Sequence, residues 1–236
     1  MDTYKILADK DQMEEDFYYP TYLYDDRLLN DAAYLLNKDV FLQNTIITLR
    51  HTMLGYETTT FDEYSNWMER ATFSGEALLR SYTRVEKAEH HAVLTEEERR
   101  MVRENVEQNV LSLIQAYPDV EFYYFFPPYS ILWWDAINRQ GEMKKQIDIL
   151  REASEILVDC ENLHLFSFYD NLELISNLDL YKDTIHYHED VNAWMLEQMA
   201  ADEYRLTKEN YIVYWDALEA SLKAYPYDDI YQNNAR

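Results

Sequence analysis

Residues 120–128 read VEFYYFFPP, an unbroken apolar and aromatic run that ends in two prolines. Such a run is typical of a β-strand that is buried on both faces. Pro127 and Pro128 end the strand because proline has no N–H group to donate to a sheet. A second short apolar run, LHLFSF at 163–168, predicts another buried strand.

Predicted helices alternate with these strands. Thr95 and Glu98 have the spacing of a capping box at the start of a helix over 94–118, whose apolar residues recur at helical intervals. Further helices are predicted over 142–158, 189–202 and 207–225. This alternation predicts an α/β fold with a parallel sheet and right-handed crossovers, whose active site lies at the carboxyl ends of the strands.

The N-terminal third has a different character. TYKIL at 3–7 predicts a short strand, and a tyrosine-rich region follows it. No internal repeat or linker divides the chain, so one domain over 1–236 is expected. Within it we predict a helical and irregular insertion at 20–80, with helices over 30–51 and 61–71, and a C-terminal helix and tail at 207–236.

Composition excludes several classes of protein. The 236 residues carry a formal net charge of −24, and such a surface repels nucleic acids and anionic membranes. The sequence contains no apolar run long enough to predict a membrane span, and its first residues lack the pattern of a signal peptide. The cellular compartment is therefore not predicted. The 3 glycines are too few for a dinucleotide fingerprint or a P-loop, and no cofactor is predicted. With a single cysteine, Cys160, no internal disulfide forms.

The stretch YKDTIHYHED, residues 181–190, carries most of the candidate chemistry. Asp183 and His186 have D-x-x-H spacing, which suits a histidine base and the carboxylate that orients it. His186 and His188 form H-x-H, which on an extended segment suits a metal site, although no second cluster in the sequence completes one. The plainest alternative is a capped helix start, since the acids at 189–190 favour a helix N-terminus.

The position of this motif, after the last strand and before a closing helix, resembles the final block of SGNH/GDSL-type hydrolases. Similarity to SGNH-like proteins of gut and other anaerobic bacteria runs over nearly the whole chain. The resemblance implies a flavodoxin-like three-layer sandwich with a parallel sheet, in which His186 is the general base and Asp183 its orienting acid. The stretches that carry it are YPTYLYDD (19–26), YLLNKDV (34–40), FPPYSILWWD (126–135) and NLDLYKDTIHYHEDVNAWMLEQM (177–199).

The chain departs from that family at the nucleophile. The family's serine lies in a glycine-flanked turn after the first strand, and none of the nine serines here has that setting. Ser74 precedes Gly75 among helical residues, while Ser130 follows a strand but has prolines where N–H donors are needed. Since a strand at 3–7 also begins abruptly, we expect an N-terminally truncated protein that lacks the nucleophile, is inactive alone and self-associates through an exposed sheet edge.

The expected substrate is an acyl ester or an acylated glycan, and the predicted activity is ester hydrolysis or acyl transfer. Trp133 and Trp134 are predicted to stack against substrate and Ser130 to line the pocket, which Asn66 and Trp67 cap. Two alternatives remain at this point. One is a non-catalytic glycan-binding or structural module, and the other is a metal site at the two histidines of H-x-H.

Overall fold

The computed structural model describes residues 6–11, 26–27, 29–57, 60 and 71–232. The chain divides into two compact units, one of Met1–Gln12 with Ala71–Arg236 and the other of Met13–Arg70. The predicted strand at 3–7 lies mostly outside the described residues, and Ile6 and Leu7 belong to a bend. The predicted helix at 61–71 also lies outside them, except for its last residue. One domain over 1–236 stays a prediction.

The described part of the Met13–Arg70 unit is helical. It contains α1 (Ala32–Leu35), a π-helical stretch (Asp39–Ile46) and α2 (Ile47–Met53). Most of the predicted helix over 30–51 is therefore confirmed. Many of its large apolar side chains are exposed to solvent within the described residues, among them Leu35, Leu36 and Leu49.

The larger unit is a mixed α/β fold, as the sequence predicts. Its first helices are α3 (Gly75–Ser81), α4 (Glu96–Val106) and α5 (Ser112–Ala116), followed by β1 (Phe122–Phe126), α6 (Ile131–Arg139), α7 (Met143–Leu157), β2 (Leu163–Ser167) and α8 (Leu172–Ser176). After a short 3-10 turn come α9 (Glu189–Ala200), β3 (Arg205–Leu206), α10 (Tyr211–Ala224) and α11 (Tyr227–Gln232). No helix in the described ranges combines the length and the apolar character needed to cross a bilayer.

The helix predicted over 94–118 begins with the expected cap. Thr95 Oγ accepts the Glu98 N–H, and a Glu98 carboxylate oxygen accepts the Thr95 N–H at 3.0 Å. A π-helical stretch, Glu107–Leu111, separates α4 from α5. Because a π-turn rotates all later residues about the helix axis, Leu113 is exposed although the sequence places it on the apolar face.

The described sheet has the strand order β1-β2-β3. The first two strands pair in parallel, with Phe122 opposite Leu163 and Phe126 opposite Ser167, as predicted. The third strand is antiparallel, which the sequence analysis does not anticipate, so the sheet is mixed. The expected burial of β1 on both faces is also wrong, because Tyr123 stacks on His164 at the outer end of the sheet and stays exposed.

Side chains of β2 face two separate apolar clusters. Leu163 and Leu165 join the main cluster, to which α4, α6, α7 and α10 contribute. Phe166 joins a smaller cluster with three residues of α9: Val191, Met195 and Met199. The alternation along one strand therefore places helices against both of its faces.

Candidate active site

The segment that follows β1 is joined to the loop that carries the D-x-x-H motif. Tyr181 Oη donates a hydrogen bond to the Pro128 carbonyl at 2.7 Å. The Ser130 N–H and hydroxyl both donate to the Thr184 carbonyl, at 3.0 and 2.9 Å. The expected meeting of residues 127–134 with the 181–188 loop at the carboxyl edge of the sheet is therefore present.

Backbone pairing closes that loop at its base. Tyr181 and Tyr187 form an antiparallel β-bridge, and the Lys182 N–H donates to the His186 carbonyl at 2.9 Å. The Tyr181 side chain is buried, and burial raises the pKa of Tyr187 to about 12. Both tyrosines therefore stay neutral at physiological pH and act as packing anchors, which leaves the loop tip to present its polar residues.

Asp183 and His186 form the contact that the motif predicts. His186 Nδ1 lies 2.7 Å from Asp183 Oδ2. The other carboxylate oxygen, Oδ1, accepts the N–H groups of Ile185 and His186 at 3.0 and 2.8 Å. The carboxylate thus fixes both the backbone turn and the ring, and a neutral ring donates through Nδ1–H and carries its lone pair on Nε2.

The same hydrogen bonds set the charge of Asp183. Partial burial acts to raise its pKa, but the bonds from the Ile185 and His186 N–H groups and from the His186 ring act more strongly in the opposite direction. The pKa of Asp183 is therefore held below its ordinary value. At neutral pH this side chain is an anion, which is the state that stabilises a protonated imidazole beside it.

The pocket residues predicted from the strand-end segment lie in the core. Ser130 is fully buried and precedes α6, and its hydroxyl is used in the bond to Thr184. Trp133 and Trp134 are only 2% and 0% exposed, and Trp133 stacks on the buried Tyr169 ring. The expectation that these two rings form a stacking wall is not met here, because both rings are buried in the main apolar cluster. Asn66 and Trp67 lie outside the described residues.

His188 does not join His186 in a ligand set. Its Nδ1 accepts the Asp190 N–H at 3.2 Å and so caps the start of α9, and its ring meets Phe73 edge-on. Among the residues that the structure describes, no group of three or more His, Cys, Asp or Glu side chains is arranged to hold a metal ion. The helix-start interpretation accounts for His188, and the metal alternative at His186 and His188 gains no support.

Sequence reasoning missed the residues that fix the loop in space. Thr184 acts through its main-chain carbonyl, and the Tyr181 hydroxyl donates to the main-chain carbonyl of Pro128, so in both bonds the acceptor has no side-chain signature. It also missed that Gly75, next to Ser74, donates its N–H to Asp179 just before the loop, at 2.8 Å. A Cβ at Gly75 would lie 3.0 Å from Leu178 Cβ, so the glycine permits a close approach.

Comparisons with known proteins give no match for this chain, whether against family models, curated proteins or solved structures. The residues and their geometry are therefore the basis for assigning a function. The strongest indication is the Asp183–His186 contact, because a carboxylate and a ring nitrogen at 2.7 Å perform a defined chemical task.

Proposed function

We propose that this chain supplies the Asp-x-x-His half of the catalytic triad of an SGNH/GDSL-type ester hydrolase or acyl transferase. His186 is the general base, and its Nε2 takes the proton from an attacking hydroxyl. Asp183 orients the ring and stabilises the imidazolium that forms. The observation that carries the proposal is the 2.7 Å contact between His186 Nδ1 and an ionised Asp183.

The surroundings of the motif support this assignment. The loop is fastened to the carboxyl end of β1 by the Tyr181 and Ser130 hydrogen bonds, and β1 pairs in parallel with β2. Active sites of α/β sheets lie at that edge. Helices against both faces of β2 also favour the three-layer arrangement that the resemblance implies.

The nucleophile is the part that the chain does not supply in recognisable form. Ser130 is buried, and its hydroxyl proton is held by the Thr184 carbonyl. Ser74 Oγ accepts the Ala77 N–H and caps α3. A base without a nucleophile has no hydroxyl to activate, so we propose that the chain alone does not turn over esters.

Hydrolysis of p-nitrophenyl acetate tests the proposal directly. The chain alone should give the same rate as its His186→Ala variant. Joining the glycine-flanked serine block of an SGNH-type hydrolase ahead of Met1 should create turnover that His186→Ala reduces by about 10⁴-fold or more. His188→Gln is the matched control, because it alters the other histidine of the loop and should leave the rate nearly unchanged.

Two outcomes would contradict this proposal. Turnover by the unmodified chain that His186→Ala abolishes would mean that a serine within it acts as the nucleophile, and Ser74→Ala and Ser130→Ala would locate it. If the fused protein still hydrolyses the ester after both His186→Ala and Asp183→Asn, the general base does not lie in this loop.

A further inference from the structure

A groove of about 330 Å³ lies beside the closed end of the 181–188 loop. It runs between α8 and the start of α9, and Leu180 and Asp190, which flank the loop in sequence, both line it. Its size suits a small organic group. The side chains that give it chemical character are Trp194, Glu173, Asp190 and Asn177.

The charges along this groove, here called the Trp194 groove, have one sign. Glu173 and Asp190 contribute carboxylates, and no Lys, Arg or His is among the described residues that line it. His188 lies close, with Nδ1 3.2 Å from both the Asp190 nitrogen and Asp190 Oδ2, but its ring does not line the groove. The groove therefore repels anions and attracts cations, in a chain whose net charge is −24.

Trp194 adds an aromatic ring to the acidic groove. Its ring is half-buried, and Phe168 and Tyr204 hold it by edge contacts at 5.6 and 5.4 Å between ring centroids. Asn171 fixes Tyr204 in turn through a 3.2 Å hydrogen bond to its hydroxyl. A fixed indole with carboxylates nearby is the combination that binds organic ammonium groups, because the ring face attracts a cation.

We propose that the Trp194 groove binds an organic ammonium group, and that the ester substrate carries this group on its acyl or its alcohol part. The second clause rests on the function proposed above, whereas the binding itself does not. Trp194 contacts the alkyl groups around the nitrogen, and Glu173 and Asp190 balance its charge. The groove adjoins the base of the loop that carries Asp183 and His186, because Leu180 and Asp190 line the groove and flank that loop in sequence.

Calorimetry with two probes of the same shape tests the proposal. Choline and 3,3-dimethylbutan-1-ol differ in having nitrogen or carbon at the branched centre, so only choline is charged. The whole chain at low and constant ionic strength should bind choline at least about tenfold more tightly. The indole N–H resonance of Trp194, assigned with Trp194→Phe, should shift with choline alone.

Charge-neutralising variants locate the site. Glu173→Gln and Asp190→Asn should each weaken choline binding several-fold. Glu189→Gln is the matched control, because it removes an acid from the same first turn of α9 outside the groove lining, and it should have no such effect. Equal binding of both probes, no choline binding at 10 mM, or an equal loss in the control would each overturn the proposal. Choline binding should persist in the His186→Ala variant. Because that binding does not depend on whether the fused protein hydrolyses esters, it tests the groove independently of the proposed function.

Discussion

Asp183 holds both the backbone turn and the imidazole ring of His186 through its two carboxylate oxygens. Both groups lie in one loop, so their separation depends on local backbone geometry, and Asp183 itself enforces that geometry by accepting two N–H groups. The partners of Ser130 could not be predicted, because its acceptor is a main-chain carbonyl 54 residues away. Side-chain chemistry is visible in a sequence at short range, whereas carbonyl acceptors have no residue signature.

Asp183→Asn should invert the tautomer of neutral His186 while it preserves the loop. The asparagine oxygen still accepts the two backbone N–H groups, but its NH₂ group now donates to Nδ1, so the ring proton moves to Nε2. Nitrogen-15 NMR of the ring nitrogens at a pH where His186 is neutral measures the change directly.

His188 provides the internal control for that experiment. Its Nδ1 accepts the Asp190 N–H, so its tautomer should be the same in the parent and the variant. If the His186 ring nitrogens keep their shifts in Asp183→Asn, the carboxylate does not orient the ring, and the proposed base loses its support.

The helices and strands with strong local signals are the ones that sequence analysis found. Helix α4 has a capping box, and α7 has apolar periodicity. The misses lack such signals: α6 starts within four residues of two prolines, and β3 is two residues long. β3 becomes antiparallel after a turn in which Asp202 and Tyr204 adopt positive φ, a conformation that is rare for tyrosine.

A buried ion pair joins distant elements of the larger unit. Asp135 in α6 is fully buried and accepts two hydrogen bonds from the Arg84 guanidinium, at 2.8 and 2.9 Å. The Tyr231 hydroxyl in α11 donates to the same carboxylate, and its ring lies under the guanidinium. Charged residues are expected at the surface, so a buried aspartate with two partners distant in sequence could not be predicted.

Arg84→Met should destabilise the larger unit by roughly 3 kcal/mol or more, because it leaves Asp135 buried without its cation. Urea denaturation measures the loss in unfolding free energy. Arg80→Met is the matched control: Arg80 is 73% exposed and pairs with Glu76 one helical turn away, whereas Arg84 is 24% exposed. The control should change the free energy by no more than about 0.5 kcal/mol. Equal effects of the two variants would mean that the Arg84–Asp135 pair does not hold these elements together.

At the scale of the whole molecule, the net negative charge opposes self-association, whereas the exposed backbone of a sheet edge favours it. The net charge of −24 keeps copies apart, and salt weakens this repulsion because the Debye length falls from about 30 Å at 0.01 M to about 3 Å at 1 M. The sequence predicts an exposed sheet edge at 3–7, but residues 1–5 lie outside the described part of the chain. Within the described sheet, β1 and β3 are the outer strands, and β1, with five residues against two, is the longer edge on which self-association can be tested.

We expect the chain to be monomeric at low salt and to self-associate at high salt through the edge of β1. Light scattering after size-exclusion chromatography, at 0.02 and 1 M NaCl, measures the mass in each state. Tyr123→Lys adds a charge to the edge and should reduce the association, because lysine on an edge strand disfavours pairing with another copy. Tyr117→Lys is the matched control, since Tyr117 is 55% exposed against 54% for Tyr123 but lies outside the strand. A monomer at both salt concentrations would contradict self-association, and equal behaviour of the two variants would show that repulsion by net charge, and not the β1 edge, controls it.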